Sequence, residues 1–182
     1  MEYKVVSAQY VSSMCAVCGR DNAWGFKGRF FNLENGDLYA VLNPLPEHQS
    51  YPGRVHGGVL CSILDECVGR AINSAPAIAR GEEEALWGVT MHMGTKYRKP
   101  TPYDNGPLYC VTRITKKSSK FFDGIGYLYT QDGTLCMEGS ARYLALPVEK
   151  IAEGGLHDED WFPDPDPVPA AVEIPVYPAF KE

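Results

Sequence analysis

The sequence predicts an α+β fold in which an antiparallel sheet curls around one long, buried helix. Three observations lead there. Val59, Leu60, Ile63, Leu64, Cys67, Val68, Ala71 and Ile72 recur in pairs four apart, a helical period whose apolar face is broad enough for burial over much of the circumference. Strand-like alternation precedes and follows this segment, and its runs are joined by short Gly-containing turns, the mark of antiparallel hairpins. A single helix buried so fully needs a sheet that wraps it. Such a sheet has two edges, and dimerisation commonly covers one of them.

Taken in order, Gly25 to Asn32 reads as a Phe-rich strand, and Asn35-Gly36 suits a two-residue type I′ turn. Asp37 to Leu42 continues as its partner, and Pro44, Pro46, Pro52 and Gly53 make a long polar loop. Gly57-Gly58 open the helix, and Asn73, Ser74 and Pro76 end it. After Gly81 the strand pattern returns: Gly88 to Tyr97 alternates, with Val89, Met91, Met93 and Thr95 expected on one face. Pro100, Pro102 and Gly106 break the pattern before Leu108 to Ile114. Phe121 to Thr130, the tight turn at Asp132-Gly133 and Thr134 to Leu146 complete the strand set. There is no internal repeat.

Length and composition set the bounds. The 182 residues, 45% hydrophobic and 22% charged, fit one globular domain or one domain plus a tail. Apolar runs of only a few residues exclude a membrane-spanning helix, which needs about 20. A net charge of −6 argues against a nucleic-acid binder. The charge is uneven. Residues 147–182 hold nine acids, two bases and seven of the fourteen prolines, leaving residues 1–146 with fourteen acids and fifteen bases. The expected division is therefore a domain over 1–146 and a Pro-rich acidic arm over 147–182. The arm is extended, because proline lacks a donor and fixes φ, and Trp161, Phe162, Val172, Ile174, Val176, Tyr177 and Phe180 give it apolar anchors. Met1 to Tyr10 lacks a basic start followed by an apolar run, so a cytoplasmic protein with reduced thiols is expected. Cys15-x-x-Cys18 supplies two of the four ligands of a structural zinc site. No second close Cys or His pair follows at typical spacing, so the expectation is a plain turn, with no metal and no cofactor.

The chemically informative segment is His48-Gln49-Ser50-Tyr51-Pro52-Gly53-Arg54-Val55-His56-Gly57-Gly58, followed by Asp65-Glu66. A glycine pair at a helix start exposes backbone N–H donors with no side chain in the way, backed by the partial positive charge of the first turn. That suits a developing negative oxygen. Asp65 lies two turns on, an acid on a mostly apolar helix, where a carboxylate is costly unless it faces a polar site or a partner. Such an acid can activate water or attack a carbonyl. Adjacent helix positions point about 100° apart, so only one of Asp65 and Glu66 is expected to face a cleft.

This segment resembles the signature of hotdog-fold acyl-CoA thioesterases, in particular the phenylacetate-degradation type: His-Gly-Gly opening the central helix, with an acid nine positions after the histidine. Cys15-Ala16-Val17-Cys18-Gly19-Arg20-Asp21-Asn22 with Gly25, Tyr97-Arg98-Lys99-Pro100 and the Asp132-Gly133 hairpin also fit, and the resemblance covers roughly residues 15 to 146. It implies a hotdog fold and hydrolysis of an acyl-CoA to a carboxylic acid and free CoA without metal. It further implies that Gly57 or Gly58 offers its N–H to the thioester carbonyl. His56 shapes the loop and can contact the carbonyl side, and Asp65 is general base or nucleophile. The family's acid and N–H donor come from opposite subunits, so a homodimer, possibly a tetramer, with an interfacial active site is implied. Several members carry Asn six residues before the histidine. Here Ser50 takes that place beside Gln49, and either can hydrogen-bond a water. For the CoA phosphates, Lys116, Lys117 and Lys120 form one candidate set and Arg98 with Lys99 another. Trp24, Phe26, Trp87, Met91 and Met93 are available for the acyl end. The readings that compete are a hotdog module that binds acyl-CoA without cleaving it, a hydratase, whose motif is not found, and a CxxC metal module.

Overall fold

The computed structural model describes residues 1–152 and 154–180. Among these, eight strands form one antiparallel sheet around a single long helix. In chain order the elements are β1 (Glu2–Ala8), β2 (Val11–Ser12), β3 (Arg29–Leu33), β4 (Leu38–Leu42), α1 (Gly57–Arg70), α2 (Pro76–Ala79), β5 (Trp87–Tyr97), β6 (Leu108–Lys117), β7 (Phe121–Thr130), β8 (Leu135–Leu146), β9 (Trp161–Phe162) and β10 (Ala171–Glu173). The large sheet runs β10-β1-β3-β4-β6-β7-β8-β5, and β2 pairs with β9 separately. This is the hotdog arrangement expected from the sequence.

The helix forms where its apolar period lies. Leu60, Ile63, Leu64, Cys67 and Val68 are buried against the concave face of the sheet, with Leu128, Met137 and Tyr143 opposite. The approach is close at Gly126, where an added Cβ would meet Leu64 Cδ1 and Val68 Cγ2 at 2.9 Å. α1 ends at Arg70 and continues as a 3-10 turn over Ala71–Ser74, with Pro76 opening the short α2 that follows. Among the described residues, no helix is long and apolar enough to cross a membrane.

The second face of the sheet is covered as well. Val5, Phe31, Leu33, Tyr39, Tyr109, Val111 and Tyr129 form a separate buried cluster whose cover comes from the C-terminal arm. Ile174 of the arm is wholly buried there, and Tyr177 stacks on Tyr3 with centroids 4.5 Å apart. Further up the arm, Asp164 accepts from Arg20 at 2.5 Å and Arg29 at 2.7 Å. At the sheet, Asp37 takes a two-point bond from Arg113 (2.7 and 2.8 Å) and a hydrogen bond from Tyr177. Residues 153, 181 and 182 of the arm lie outside the described part.

Several local expectations are corrected. β3 begins at Arg29 rather than Gly25, because residues 25–28 are committed to the loop around the cysteine pair: Phe26 N–H bonds Ala16 O and Gly28 N–H bonds Val17 O. The β3–β4 turn is not type I′. That type needs φ > 0 at both central residues. Here only Gly36 (φ 83°) is left-handed, and Leu33 N–H bonds Asp37 O across a three-residue loop. In β5 the register shifts between Thr90 and His92. This irregularity reverses the alternation, so Val89 and Met91 do not share a face with Met93 and Thr95. Thr90, Met93, Thr95 and Tyr97 turn toward the helix, and Met91 is exposed. β1, β9 and β10 were not expected as strands, and they add one flank of the sheet and the tie to the arm.

Candidate active site

The candidate residues on α1 lie at its start and past its middle. At its start, His56 is the N-cap: its Nδ1 accepts the Gly58 N–H at 3.0 Å. That bond occupies Gly58 and leaves the Gly57 N–H with no acceptor among the described residues. The two candidates that the sequence could not separate are therefore distinguished by the cap. Gly57 O accepts from Tyr97 OH at 2.8 Å, and the same hydroxyl lies 3.1 Å from Cys61 Sγ. A Cβ on Gly57 would press on the Tyr97 ring at 3.2–3.3 Å, so the glycine allows this approach. Gly57, Ser50, Arg54, Tyr97, Arg98 and Lys99 border a cavity of about 380 Å³. Gln49 turns inward to its own loop instead, accepting from Gly53 N–H at 2.6 Å and donating to Pro46 O at 2.8 Å. His48 is structural: it is buried, stacks on Phe26 and bonds Trp24 O.

Two turns along, Asp65 lies at the wall of a second cavity, of about 360 Å³. Its Oδ1 accepts from Thr90 Oγ1 at 2.9 Å and from Tyr143 OH at 3.0 Å. Tyr143 OH also reaches Asp65 O at 2.8 Å. Burial pushes the Tyr143 phenol well above its usual range, and the Asp65 charge beside it adds to the effect, so Tyr143 remains a protonated donor. Both donors meet Oδ1, Oδ2 accepts no hydrogen bond among the described residues, and Asp65 borders the cavity. Thr90 and Tyr143 are the site residues that sequence reading missed. The alternating strand placed Thr90 only on some face of β5, and nothing local marks Tyr143.

Both acids of the Asp65-Glu66 pair border this cavity, contrary to the expectation that only one would. They differ in engagement. Glu66 Oε1 accepts from Arg70 Nε at 2.6 Å, one helical turn on. Arg70 is itself buried, lies over Phe30 and Trp161, and donates to Tyr10 O and toward Cys18 Sγ. Cys15 and Cys18 lie on the same wall, and the hydrogen bond from Cys18 lowers the Cys15 thiol to about 6 while raising Cys18 well above its usual value. Leu86, Trp87, Leu156 and Trp161 give the cavity its apolar surface, two of them from the arm. Of the aromatic and Met residues considered for an acyl pocket, only Trp87 borders it: Trp24 is exposed and Phe26 is buried on His48.

Lys116, Lys117 and Lys120 lie at the β6–β7 tip, away from Arg98 and Lys99 in the chain. Lys120 O bonds Ala145 N–H, and Ala145 pairs with Gly88, which puts this tip beside the start of β5, the Thr90 end. Arg98 follows the other end of β5 and is paired with Glu138 at 2.6 Å.

Fold and site together define a hotdog domain with a polar acid–hydroxyl centre at one point of its helix and an open N–H donor at the start. Residues 52–137 match the family model of the Thioesterase superfamily. No curated protein matches the chain. Among solved structures, a thioesterase superfamily protein aligns with 27% identity and a TM-score of 0.60 over 71% of this chain, which covers 59% of that protein's length. A Bacillus halodurans protein crystallised with CoA aligns at 23% identity and TM-score 0.50, over 59% of this chain and 70% of that one. The E. coli PaaI protein from the phenylacetic acid degradation operon aligns at 13% identity and TM-score 0.56, over 67% and 81%. The chain is thus similar to the hotdog-fold thioesterase superfamily, as its His-Gly-Gly segment implied.

Proposed function

We propose that this protein is an acyl-CoA thioesterase that works as a homodimer, hydrolysing a CoA thioester to a carboxylic acid and free CoA. The observation that carries the reading is Asp65, which borders a partly apolar cavity with Oδ1 held by Thr90 and Tyr143 and Oδ2 without a partner among the described residues. In this reading Asp65 acts as the base: Oδ2 takes a proton from water while the water oxygen attacks the thioester carbon. The carbonyl oxygen, gaining charge, rests on the Gly57 N–H with the helix dipole behind it. The intermediate then expels the CoA thiolate. Thr90 and Tyr143 are positioning residues.

One chain does not hold both halves within reach. Gly57 and Asp65 are eight positions apart on α1, about 12 Å along the axis at 1.5 Å per residue. The unpaired edge of β5 supplies the remedy. Among the described residues β5 bonds only β8, and it has 11 residues and exposes Val89, Met91 and Tyr97, an edge that calls for cover. Antiparallel pairing of two β5 strands about Gly94, with Met91 as the extra residue of the irregularity between Thr90 and His92, sets Thr90 of one copy opposite Tyr97 of the other. Since Thr90 touches Asp65 and Tyr97 touches Gly57, each Asp65 then faces Gly57 of the partner subunit, in two equivalent sites.

The same pairing brings the Lys116–Lys120 tip of one copy toward Arg98 and Lys99 of the other. The tip is two strands from β5, roughly 10 Å away. Together with Arg54 this is a basic rim for the CoA phosphates, and the Bacillus halodurans structure holding CoA supports that ligand class. Leu156 and Trp161 would meet the acyl chain.

The test is loss of the thioester's ultraviolet absorption across a panel of acyl-CoAs, for the native chain and Asp65→Asn. Turnover that collapses in the variant supports the proposal. Acyl-CoA binding without turnover would replace it with a non-catalytic acyl-CoA-binding role.

A further inference from the structure

The turn of the cysteine pair lies against a carboxylate from the central helix. Cys15 Sγ, Cys18 Sγ and a Glu66 carboxylate oxygen lie within 4.8 Å of one another, although Glu66 is 48 positions beyond Cys18 in sequence. In a tetrahedral zinc site such donors stand about 3.5–3.8 Å apart, so closing on an ion asks for about 1 Å of contraction, within the reach of side-chain rotation.

The turn is built rigidly for thiolates. Val17 and Cys18 N–H groups point at Cys15 Sγ (3.3 and 3.5 Å), and Gly19 N–H bonds Cys15 O at 2.8 Å. A Cβ on Gly19 would lie 2.3 Å from Cys15 O, so only glycine closes this turn. The Lys27 ammonium binds the carbonyls of Gly19, Arg20 and Asn22 at 3.0, 2.6 and 2.6 Å, clamping the loop from behind. Arg70 orients the other two donors: Nε holds Glu66 Oε1 at 2.6 Å and Nη2 lies 3.1 Å from Cys18 Sγ, leaving Glu66 Oε2 available. Groups that orient metal ligands in this way are a regular part of metal sites.

Charge points the same way. Once an ion has displaced the thiol protons, two thiolates and a carboxylate carry three negative charges, which a divalent ion and buried Arg70 together neutralise. Two sulfur donors and one oxygen suit a borderline-soft ion such as zinc and not magnesium or calcium.

We propose that Cys15, Cys18 and Glu66 bind one divalent ion of the zinc class, with its fourth position open to the cavity that Asp65 borders. The ion would tie the loop before β3 to the middle of α1 and form one wall of that cavity. The site stands apart from the thioesterase reading, and its test needs no turnover.

The full chain is reduced with a phosphine, freed of metal with a chelator and titrated anaerobically with Co²⁺. The expected result is thiolate-to-cobalt charge-transfer absorption that saturates at one Co²⁺ per chain and is displaced by one equivalent of Zn²⁺. Cys15→Ser and Cys18→Ser should abolish the band, Glu66→Gln should weaken Co²⁺ binding at least tenfold, and Cys61→Ser should change neither. Absence of the band in the reduced native chain overturns the proposal without recourse to any variant that might misfold. So does a band that survives Cys15→Ser, or an affinity unchanged by Glu66→Gln.

Discussion

Replacing Thr90 with Val removes one of the two hydroxyls on Asp65 Oδ1 and leaves the shape of the side chain almost unchanged. Thr90 is exposed on the β5 edge, so folding stability should change by no more than about 0.5 kcal/mol. Its effect should fall on the reaction. A hydrogen bond to a charged group is worth about 1.5–3 kcal/mol, and about 1.4 kcal/mol is tenfold in rate, which bounds the loss at roughly 10- to 100-fold. Water can partly replace the exposed Thr90 donor, so the low end is expected for it. Tyr143 is buried and donates to both Oδ1 and the Asp65 carbonyl, so Tyr143→Phe should approach the high end. Both losses should appear in kcat, with KM held within about twofold, because the donors hold a catalytic group and touch no substrate. Since both act on one oxygen, the double variant should depart from additivity by about 0.5–3 kcal/mol. The assay is steady-state thioester hydrolysis with the best acyl-CoA of the panel. An unchanged kcat in Tyr143→Phe, a loss confined to KM, or strict additivity would refute the idea that these hydroxyls fix Asp65.

Three further outcomes follow from the packing. Deleting residues 150–182 removes wholly buried Ile174, worth about 1.5–3 kcal/mol by burial alone. At about 2–4 °C per kcal/mol for a chain of this size, the melting temperature should drop by at least about 3 °C, and an unchanged value would mean that the arm does not pack on the sheet. Asp164→Ala removes the nearer of two carboxylates that Arg20 and Arg29 share, leaving Asp166 at 3.3 and 3.9 Å. Because both arginines are partly solvated, chemical denaturation should show a loss nearer about 2 kcal/mol than the 3–5 of a fully buried pair. Gly126→Ala should destabilise by about 1–3 kcal/mol, since its Cβ would meet Thr112, Leu64 and Val68 at 2.8–2.9 Å. A neutral result there would mean that helix and sheet are less closely fitted than these distances.

What was legible in the sequence follows the range of the interactions. The helix was legible because its burial is written as a local period over residues 59–72, and β7 because Phe121–Thr130 lies between two turns. That Gly57 opens α1 and that Asp65 lies eight positions further along the same helix was legible because both placements are local. The strand face of β5 was misjudged because a one-residue register shift reverses alternation while leaving composition untouched. The N-terminal strand β1 went unread because its hydrogen bonds are to β3 and to β10, about 170 positions away. Tyr143 and Thr90 meet Asp65 only through the sheet's register, and Glu66 meets Cys15 and Cys18 only because α1 lies across the loop before β3.

The two ends of α1 give a physical reason for a second copy. A helix N-terminus offers an open N–H, but it cannot also host a buried acid without that acid taking the N–H as its own partner. His56 already illustrates the tendency, since its ring captures the Gly58 N–H. Separating donor and base by two helical turns prevents this self-capture and leaves each group incompletely satisfied: among the described residues, Gly57 N–H has no acceptor and Asp65 Oδ2 no donor. An antiparallel edge pairing then joins unlike ends. The exposed apolar residues of β5 supply the attraction, and its glycine-94 midpoint lets the strands approach. On this argument charged substitutions at Met91 should abolish turnover by separating the copies, with Asp65 and Gly57 intact. Sedimentation should show a monomer that has lost activity, and an active monomer would break the link between dimer and site.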